Sequence, residues 1–252
     1  MAKPYYIVIP ARMASERLPG KPLAELAGRP MLEHVHACAM KASARGVVIA
    51  TDDERILRAG LKFGAQVVMT SSRHSSGSDR LAECVEAMAW ADGEIVVNLQ
   101  GDEPLMPPEC LDQVAALLEE DGQAQAASLY WPIEQAGEIA NPNVVKVVTD
   151  TSGAALLFSR SVIPHPRAWA DVESALAAGV RWKRHIGLYA YRVKTLKWFS
   201  RQTPGPLEAA EKLEQLRIIE AGGRIIMAEA SRSIPAGVDT AEDLERVRSL
   251  IR

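Results

Sequence analysis

No run in the 252 residues is long and apolar enough to cross a bilayer. The apolar stretch Tyr5 to Ile9 follows a single lysine and leads straight into Arg12, which is too short and wrongly flanked for a signal peptide. A surplus of positive charge is also missing: 29 Lys and Arg stand against 32 Asp and Glu, a net charge of −3. A nucleic-acid backbone binder needs the opposite balance, so any phosphate bound here is bound locally. Cysteine is scarce, with Cys38, Cys84 and Cys110 odd in number and far apart, which excludes a disulfide framework or a CxxC redox pair. No GxGxxG occurs, and Lys21 is followed by Pro22, so neither a dinucleotide fingerprint nor a Walker A loop is present. Repeats and low-complexity segments are absent as well. Together these absences predict a reduced, cytoplasmic protein with neither nucleic acid nor membrane as partner.

What is there is a composition for burial, 48% hydrophobic and 24% charged. At this length one core, or one core with a small excursion, holds the whole chain as a single domain, 1–252. In the first half, short β-rich runs (Tyr5–Ile9, Val47–Thr51, Gln66–Met69, Glu94–Asn98) alternate with segments of helical period (Met31–Ala42, Asp53–Phe63, Ser78–Ala91). That βαβ rhythm predicts an α/β fold with a mostly parallel sheet and helices on both faces, and ligands beyond the carboxyl ends of its strands. After a helix at Pro107–Glu120, strand-like runs follow one another within residues 126–200, which predicts a β-rich extension. Residues Pro164–Lys183 read as irregular, Gly187–Tyr191 as a strand, Leu207–Ala221 as one amphipathic helix with a solvated acidic face, and Arg224–Ala228 as a strand. Thr240 with Asp243 forms a capping-box signal for a last helix.

The loops after these strands are polar. After the first strand, Arg12, Arg17 and Lys21 share a loop with the small residues Ala14, Ser15 and Gly20, an arrangement suited to a polyphosphate. The plain alternative is a solvated basic loop. Asn98-Leu-Gln-Gly-Asp-Glu-Pro104 ends a strand on Asp102, suited to Mg²⁺, which takes one or two carboxylates plus substrate phosphates; a loop-capping Asp is the alternative. Asp239, just ahead of Thr240, is a second acid that either shares that metal or belongs to the helix cap. His74-Ser-Ser-Gly-Ser-Asp-Arg80 offers amides, hydroxyls and the Arg80 fork at a helix start, as a base or ribose reader or as an N-capping loop. His185 and Tyr189 fall on one face of a strand, and His34, His36 and Cys38 do not share a helix face as metal ligands would.

In order, the blocks PAR-x-x-S-x-R-LPGKP, ATDDERI, VxNLQGDEP, NPNxVKVV, LxFSRxxIP, RHIGLYAYR, PLExxEKLEQLR and GVDTAEDLERVR span nearly the whole chain. The sequence resembles the 3-deoxy-manno-octulosonate (Kdo) cytidylyltransferase family, also called CMP-Kdo synthetases. Where that family has His-Gln-Ser-Gly-Thr-Glu/Asp-Arg, this chain has HSSGSDR, so Ser76, Gly77 and Arg80 carry over while Ser75 and Ser78 depart.

The resemblance implies a three-layer nucleotide-diphospho-sugar transferase fold and a homodimer, with residues 126–200 on the dimer and sugar side. It also implies Mg²⁺ and transfer of CMP from CTP to the anomeric hydroxyl of Kdo for lipopolysaccharide synthesis. It places Ala11, Arg12, Lys21, Ser76, Gly77 and Arg80 at the nucleotide, and Arg17, Gln100, His185, Tyr189, Glu214 and Gln215 at the sugar. Asp102 and Asp239 fall on the metal, with Arg12 and Lys21 completing the catalytic set. An 8-amino-Kdo cytidylyltransferase is the nearest alternative, weakly disfavoured by Glu103; a non-catalytic nucleotide sensor would have no need for both Asp102 and Asp239.

Overall fold

The computed structural model describes residues 5–14, 17–74 and 76–251. Ser15 of the first loop and Ser75 of the HSSGSDR segment lie outside the described residues. The chain runs β1 (Tyr6–Ala11), a 3-10 turn at Lys21–Leu23, the hairpin β2 (Glu25–Leu26) and β3 (Arg29–Pro30), α1 (Met31–Ala39), β4 (Gly46–Thr51), α2 (Glu54–Lys62), β5 (Gln66–Met69), α3 (Gly77–Ala87), β6 (Ile95–Asn98) and α4 (Pro108–Glu120). It continues through β7 (Ala126–Ile133), α5 (Ala136–Ala140), β8 (Lys146–Thr149), β9 (Ala155–Ser159), α6 (Val172–Ala177), β10 (Trp182–Arg192), α7 (Val193–Phe199), α8 (Pro206–Glu211), α9 (Leu216–Glu220), β11 (Ile225–Glu229) and α10 (Ala241–Leu250).

The central sheet has the order β11-β7-β10-β6-β1-β4-β5. β1 pairs parallel with β4 and β6, β4 with β5, and β7 with β11, while β10 runs antiparallel between β6 and β7. Alternate residues face opposite sides, so each strand feeds two cores. Ile7, Ile9, Val97 and Leu129 meet Leu32 and Val35 of α1 and Leu111, Val114 and Leu118 of α4. Val8, Val48, Val96 and Tyr191 meet Leu81 and Val85 of α3, Leu196 and Phe199 of α7, and Leu216 of α9. Helix, sheet, helix is the expected three-layer α/β architecture. β1, β4 and β6 are buried on both faces, which is why each reads as an apolar run.

Three expectations need correction. The segment 207–221 is two short helices rather than one: Lys212 sits at φ 55, a left-handed conformation that ends α8, and its acids do not form a solvated face. Glu208 pairs with Arg217, Glu211 accepts hydrogen bonds from Ser159 Oγ and Arg160 N, and Glu214 accepts from Ser78 Oγ. The stretch 164–183 contains α6, started by an Asp171–Ser174 capping box, and the first residues of β10. β10 is longer than the Gly187–Tyr191 run because a bulge between Ile186 and Tyr189 interrupts its pairing with β7 and masks the period. Within residues 126–200, β7 and β10 are interior strands of the central sheet, and β8 and β9 branch from it at Arg184 of β10.

Candidate active site

The carboxyl ends of β1, β4 and β6 lie side by side, and the segments leaving β1, β5 and β6 close around a cleft of about 630 Å³. Gly101 allows this approach: a Cβ there would stand 2.9 Å from the Pro10 carbonyl oxygen at the end of β1, closer than real Cβ contacts come. The residues after β11 arrive from far along the chain and are fixed by Val238 N–H donating to the Asp102 carbonyl at 2.9 Å. Gly237 fits against the same carbonyl, where an added Cβ would stand 3.2 Å away. Two acids 137 positions apart in sequence are thereby placed at one point.

That point is marked by a cation. Lys21 Nζ donates to Asp102 Oδ2 at 2.5 Å and to Asp239 Oδ1 at 3.2 Å, and Arg17 reaches Asp239 Oδ2 at 3.0 Å. Gly20, at φ 73, turns the chain into the short helix that carries Lys21. Thr240 and Asp243 cap α10 reciprocally, and it is Asp243 that accepts the Asp239 amide, so the Asp239 carboxylate faces Lys21 and Arg17 and leaves the cap to its neighbours. Asp102 likewise directs its carboxylate to Lys21.

Behind them, burial, Asp102 and Asp239 together push Glu103 up to about 8, so it adds no third negative charge at neutral pH. Its Oε2 is buried without a hydrogen-bond partner among the described residues. Two carboxylates converging on a single point charge form a hard oxygen set of the kind Mg²⁺ takes, with phosphate oxygens completing the shell. Asp102 and Asp239 therefore fit such an ion.

Of the residues expected at the site, Ala11, Arg12, Arg17, Lys21, Ser76, Gly77, Arg80, Gln100, Asp102 and Asp239 all line this cleft. Ser76 caps α3, its Oγ accepting from Asp79 N at 3.1 Å. Arg80, 3% exposed, has its guanidinium held in place by donation to Asp52 Oδ2 at 2.8 Å and to Thr70 Oγ1 at 2.5 Å. It ties the segments after β4 and β5 to α3, and what it offers the cleft is a fixed wall.

His185, Tyr189, Glu214 and Gln215 are not in the lining of that cleft. They form a second, more enclosed group. His185 and Tyr189 do share a face, with ring centroids 5.3 Å apart, because the bulge adds two residues and so preserves parity. Phe158 meets His185 edge-on at 5.0 Å, and burial lowers His185 to about 3, so its imidazole is neutral across the working range. Burial also raises Glu214 and Tyr189. Two links join the groups: Ser78, just after the cleft residues Ser76 and Gly77, donates to Glu214 at 2.9 Å, and Asn98, two residues before Gln100, pairs with Tyr189 across β6 and β10.

The Cytidylyltransferase family matches residues 6–226. A 3-deoxy-manno-octulosonate cytidylyltransferase of Pseudomonas fluorescens is 52% identical over 252 residues, 100% of this chain and 99% of its own length. The chain belongs to the 3-deoxy-manno-octulosonate cytidylyltransferase family. A relative of the same name from Idiomarina loihiensis is 50% identical over 98% of each chain. A solved CMP:2-keto-3-deoxy-manno-octonic acid synthetase complexed with CTP superposes with TM-score 0.90 at 41% identity, covering 98% of both chains. A 4-diphosphocytidyl-2C-methyl-D-erythritol synthase, 14% identical with TM-score 0.62 over 99% of this chain and all of its own, shares the fold.

Two residues in or beside the site, His74 and Asn98, escape the sequence reading. His74 lines the cleft with its Nε2 against Glu83, nine residues on. Asn98 Oδ1, Tyr189 OH and Gln215 Nε2 are buried without hydrogen-bond partners among the described residues. Buried polar atoms are nearly always paired, so three such orphans in the region where β6, β10 and α9 meet point to partners that a ligand supplies. Asn98 was findable from its place in the VxNLQGDEP block; the His74–Glu83 contact depends on how α3 is set against the loop and leaves no local signal.

Proposed function

We propose that the reaction of this family member, transfer of CMP from CTP to Kdo with release of pyrophosphate, is carried by the cleft around Lys21, Asp102 and Asp239. The observation that bears most weight is Lys21 Nζ lying between the two carboxylates at 2.5 and 3.2 Å, beneath a loop that adds Arg12 and Arg17. Cytidylyl transfer is an in-line displacement: the anomeric oxygen of Kdo bonds to the α-phosphorus as the bond to the pyrophosphate oxygen breaks. The protein's part is therefore to position the two substrates and to stabilise the developing charge. Arg12 and Lys21 hold the triphosphate, whose negative charge replaces the carboxylates as partner of Lys21. Asp102 and Asp239, relieved of that lysine, would hold Mg²⁺, which would supply charge neutralisation at the phosphate and acidity to the attacking hydroxyl.

Kdo, a polyhydroxy acid, lies over Gln100 and reaches the second group, with Arg17 toward its carboxylate. The orphaned Tyr189 OH and Gln215 Nε2, with neutral His185 and the acceptor Glu214, suit hydroxyl groups. The reading also includes a homodimer through the 126–200 stretch, supported by the exposed apolar Leu156 and Trp169, and a cytoplasmic location, where CTP is made available. Among the described residues no helix is long and apolar enough to cross a membrane.

A pyrophosphate-release assay crossing CTP, UTP, ATP and GTP with Kdo, 8-amino-Kdo and a sialic acid tests the reading. CTP with Kdo and Mg²⁺ is expected to turn over, and turnover of the amino sugar with Kdo inert would refute the substrate. Lys21→Ala should weaken CTP at least tenfold, the scale of one charged hydrogen bond at ~1.5–3 kcal/mol, with sugar KM little changed; calorimetric titration reads it. His185→Ala should raise the KM for Kdo by about 2- to 12-fold, one neutral hydrogen bond of ~0.5–1.5 kcal/mol, and leave the KM for CTP alone. If steady-state kinetics show the opposite split, the second group belongs to the nucleotide.

A further inference from the structure

With the triphosphate over Lys21 and Arg12, the opposite wall of the cleft, made by His74, Ser76, Gly77 and Arg80, is left to the nucleobase. Gly77 contributes no side chain, and a Cβ there would meet only Pro10 Cγ at 3.9 Å, so the wall has room for a flat ring. Arg80 is held in place by Asp52 and Thr70, so its position on this wall is fixed. Ser76 Oγ accepts the Asp79 amide, which leaves its hydroxyl proton as a donor. Among the described residues of this wall, the ring side chain is His74.

Its tautomer is determined by Glu83. One oxygen of that carboxylate, Oε2, accepts the Ser71 amide at 2.8 Å and also meets His74 Nε2. Burial works to raise Glu83, but the Ser71 amide, His74 and Arg80 outweigh it and hold the carboxyl below its ordinary value. An ionised carboxylate only accepts, so Nε2 must carry the proton. In a neutral imidazole that makes Nδ1, on the ring edge turned away from Glu83, an acceptor.

We propose that His74, held by Glu83 in the Nε2–H tautomer, selects cytosine: Nδ1 accepts a hydrogen bond from the exocyclic amino group of CTP and opposes the carbonyl oxygen that uracil carries at the same position. Ser76 supplies the complementary donor. His74 is thus a specificity-determining residue and Glu83 its positioning residue. The proposal rests on the reading that Lys21 and Arg12 take the triphosphate.

The test is kcat/KM for CTP and for UTP, with Kdo and Mg²⁺, at an alkaline pH where imidazole is neutral. His74→Phe keeps the ring and loses the acceptor; the CTP-over-UTP ratio should fall about tenfold, with the UTP value holding or rising while the CTP value drops. His74→Asn places a carbonyl oxygen near the former Nδ1 and should retain most of the ratio. Glu83→Leu should lower the ratio with His74 still present, whereas Glu83→Gln, whose carbonyl oxygen still accepts from Nε2–H, should preserve it. A merely structural role would depress both nucleotides together. Lys21→Ala is measured alongside: if it weakens CTP while His74→Phe leaves the ratio unchanged, the base assignment is wrong and the triphosphate reading stands. If Lys21→Ala leaves CTP binding unchanged, the site partition fails and the proposal with it. Should His74→Phe not fold, the contrast between Glu83→Leu and Glu83→Gln decides, equal ratios overturning the proposal.

Discussion

Asp102→Asn and Asp239→Asn will each lower kcat for CMP-Kdo formation by about 10²–10³, the loss seen when one preorganised charge-stabilising group is removed from an active site. The expectation rests on geometry. Both carboxylates already converge on a single ammonium, and Val238 N–H locks the backbone of one segment to that of the other. Either asparagine keeps the shape and one acceptor oxygen but removes the charge that would hold Mg²⁺ against the phosphates. Folding should be little affected, because the two acids are partly solvated and α10 is capped by Thr240 and Asp243. Turnover measured across a Mg²⁺ titration, with a thermal melt of each variant, checks both halves. Activity within threefold of the parent at limiting Mg²⁺ would exclude that residue from a shared metal. Glu103→Gln is the useful companion: a carboxyl pushed up to about 8 is already mostly neutral near pH 7, so this substitution should cost far less than either aspartate change.

The first half of the fold was legible because β1, β4 and β6 are buried on both faces and α1, α3 and α4 on one, so period and burial agree along each of them. The cleft was legible for a related reason: ligands sit beyond strand ends in such sheets, and the segments leaving β1 and β6 are where Arg12, Lys21 and Asp102 stand. What sequence could not supply was the meeting of Asp102 with Asp239, which is fixed by one backbone hydrogen bond and two glycines at close approach.

The misread helix at 207–221 shows the same limit from the other side. Its charges follow a surface pattern, yet Glu208, Glu211 and Glu214 find Arg217, Ser159, Arg160 and Ser78, and the last three lie more than fifty positions away from their acids. Long-range pairing overrides local amphipathicity whenever a buried cation or hydroxyl is waiting for an acid. Arg80 is a parallel case, since Asp52 and Thr70, both outside its own helix, fix its guanidinium in space.

The pair Glu208–Arg217 carries the second large effect. Arg217 Nε donates to Glu208 Oε2 at 2.7 Å and its NH2 to Oε1 at 2.5 Å, while its NH1 donates to the carbonyls of Phe199 and Gln202 at 3.2 Å and the guanidinium lies 4.0 Å over the Phe199 ring. Both side chains are nearly enclosed, 10% and 11% exposed. Removing one member of such a pair leaves the other charge buried and unpaired, a loss of about 3–5 kcal/mol. For a chain of this size each kcal/mol lowers Tm by about 2–4 °C, so Glu208→Ala should melt roughly 6–20 °C below the parent. Replacing both, as Glu208→Leu with Arg217→Met, removes the stranded charge and should recover most of that loss. The pair also closes the turn between α8 and α9 that presents Glu214 and Gln215. At a temperature where Glu208→Ala remains folded, its KM for Kdo should therefore rise more than its KM for CTP. A melt within 2 °C of the parent would mean that the pair is solvated, and equal changes in both KM values would detach the α8–α9 turn from the sugar side of the site.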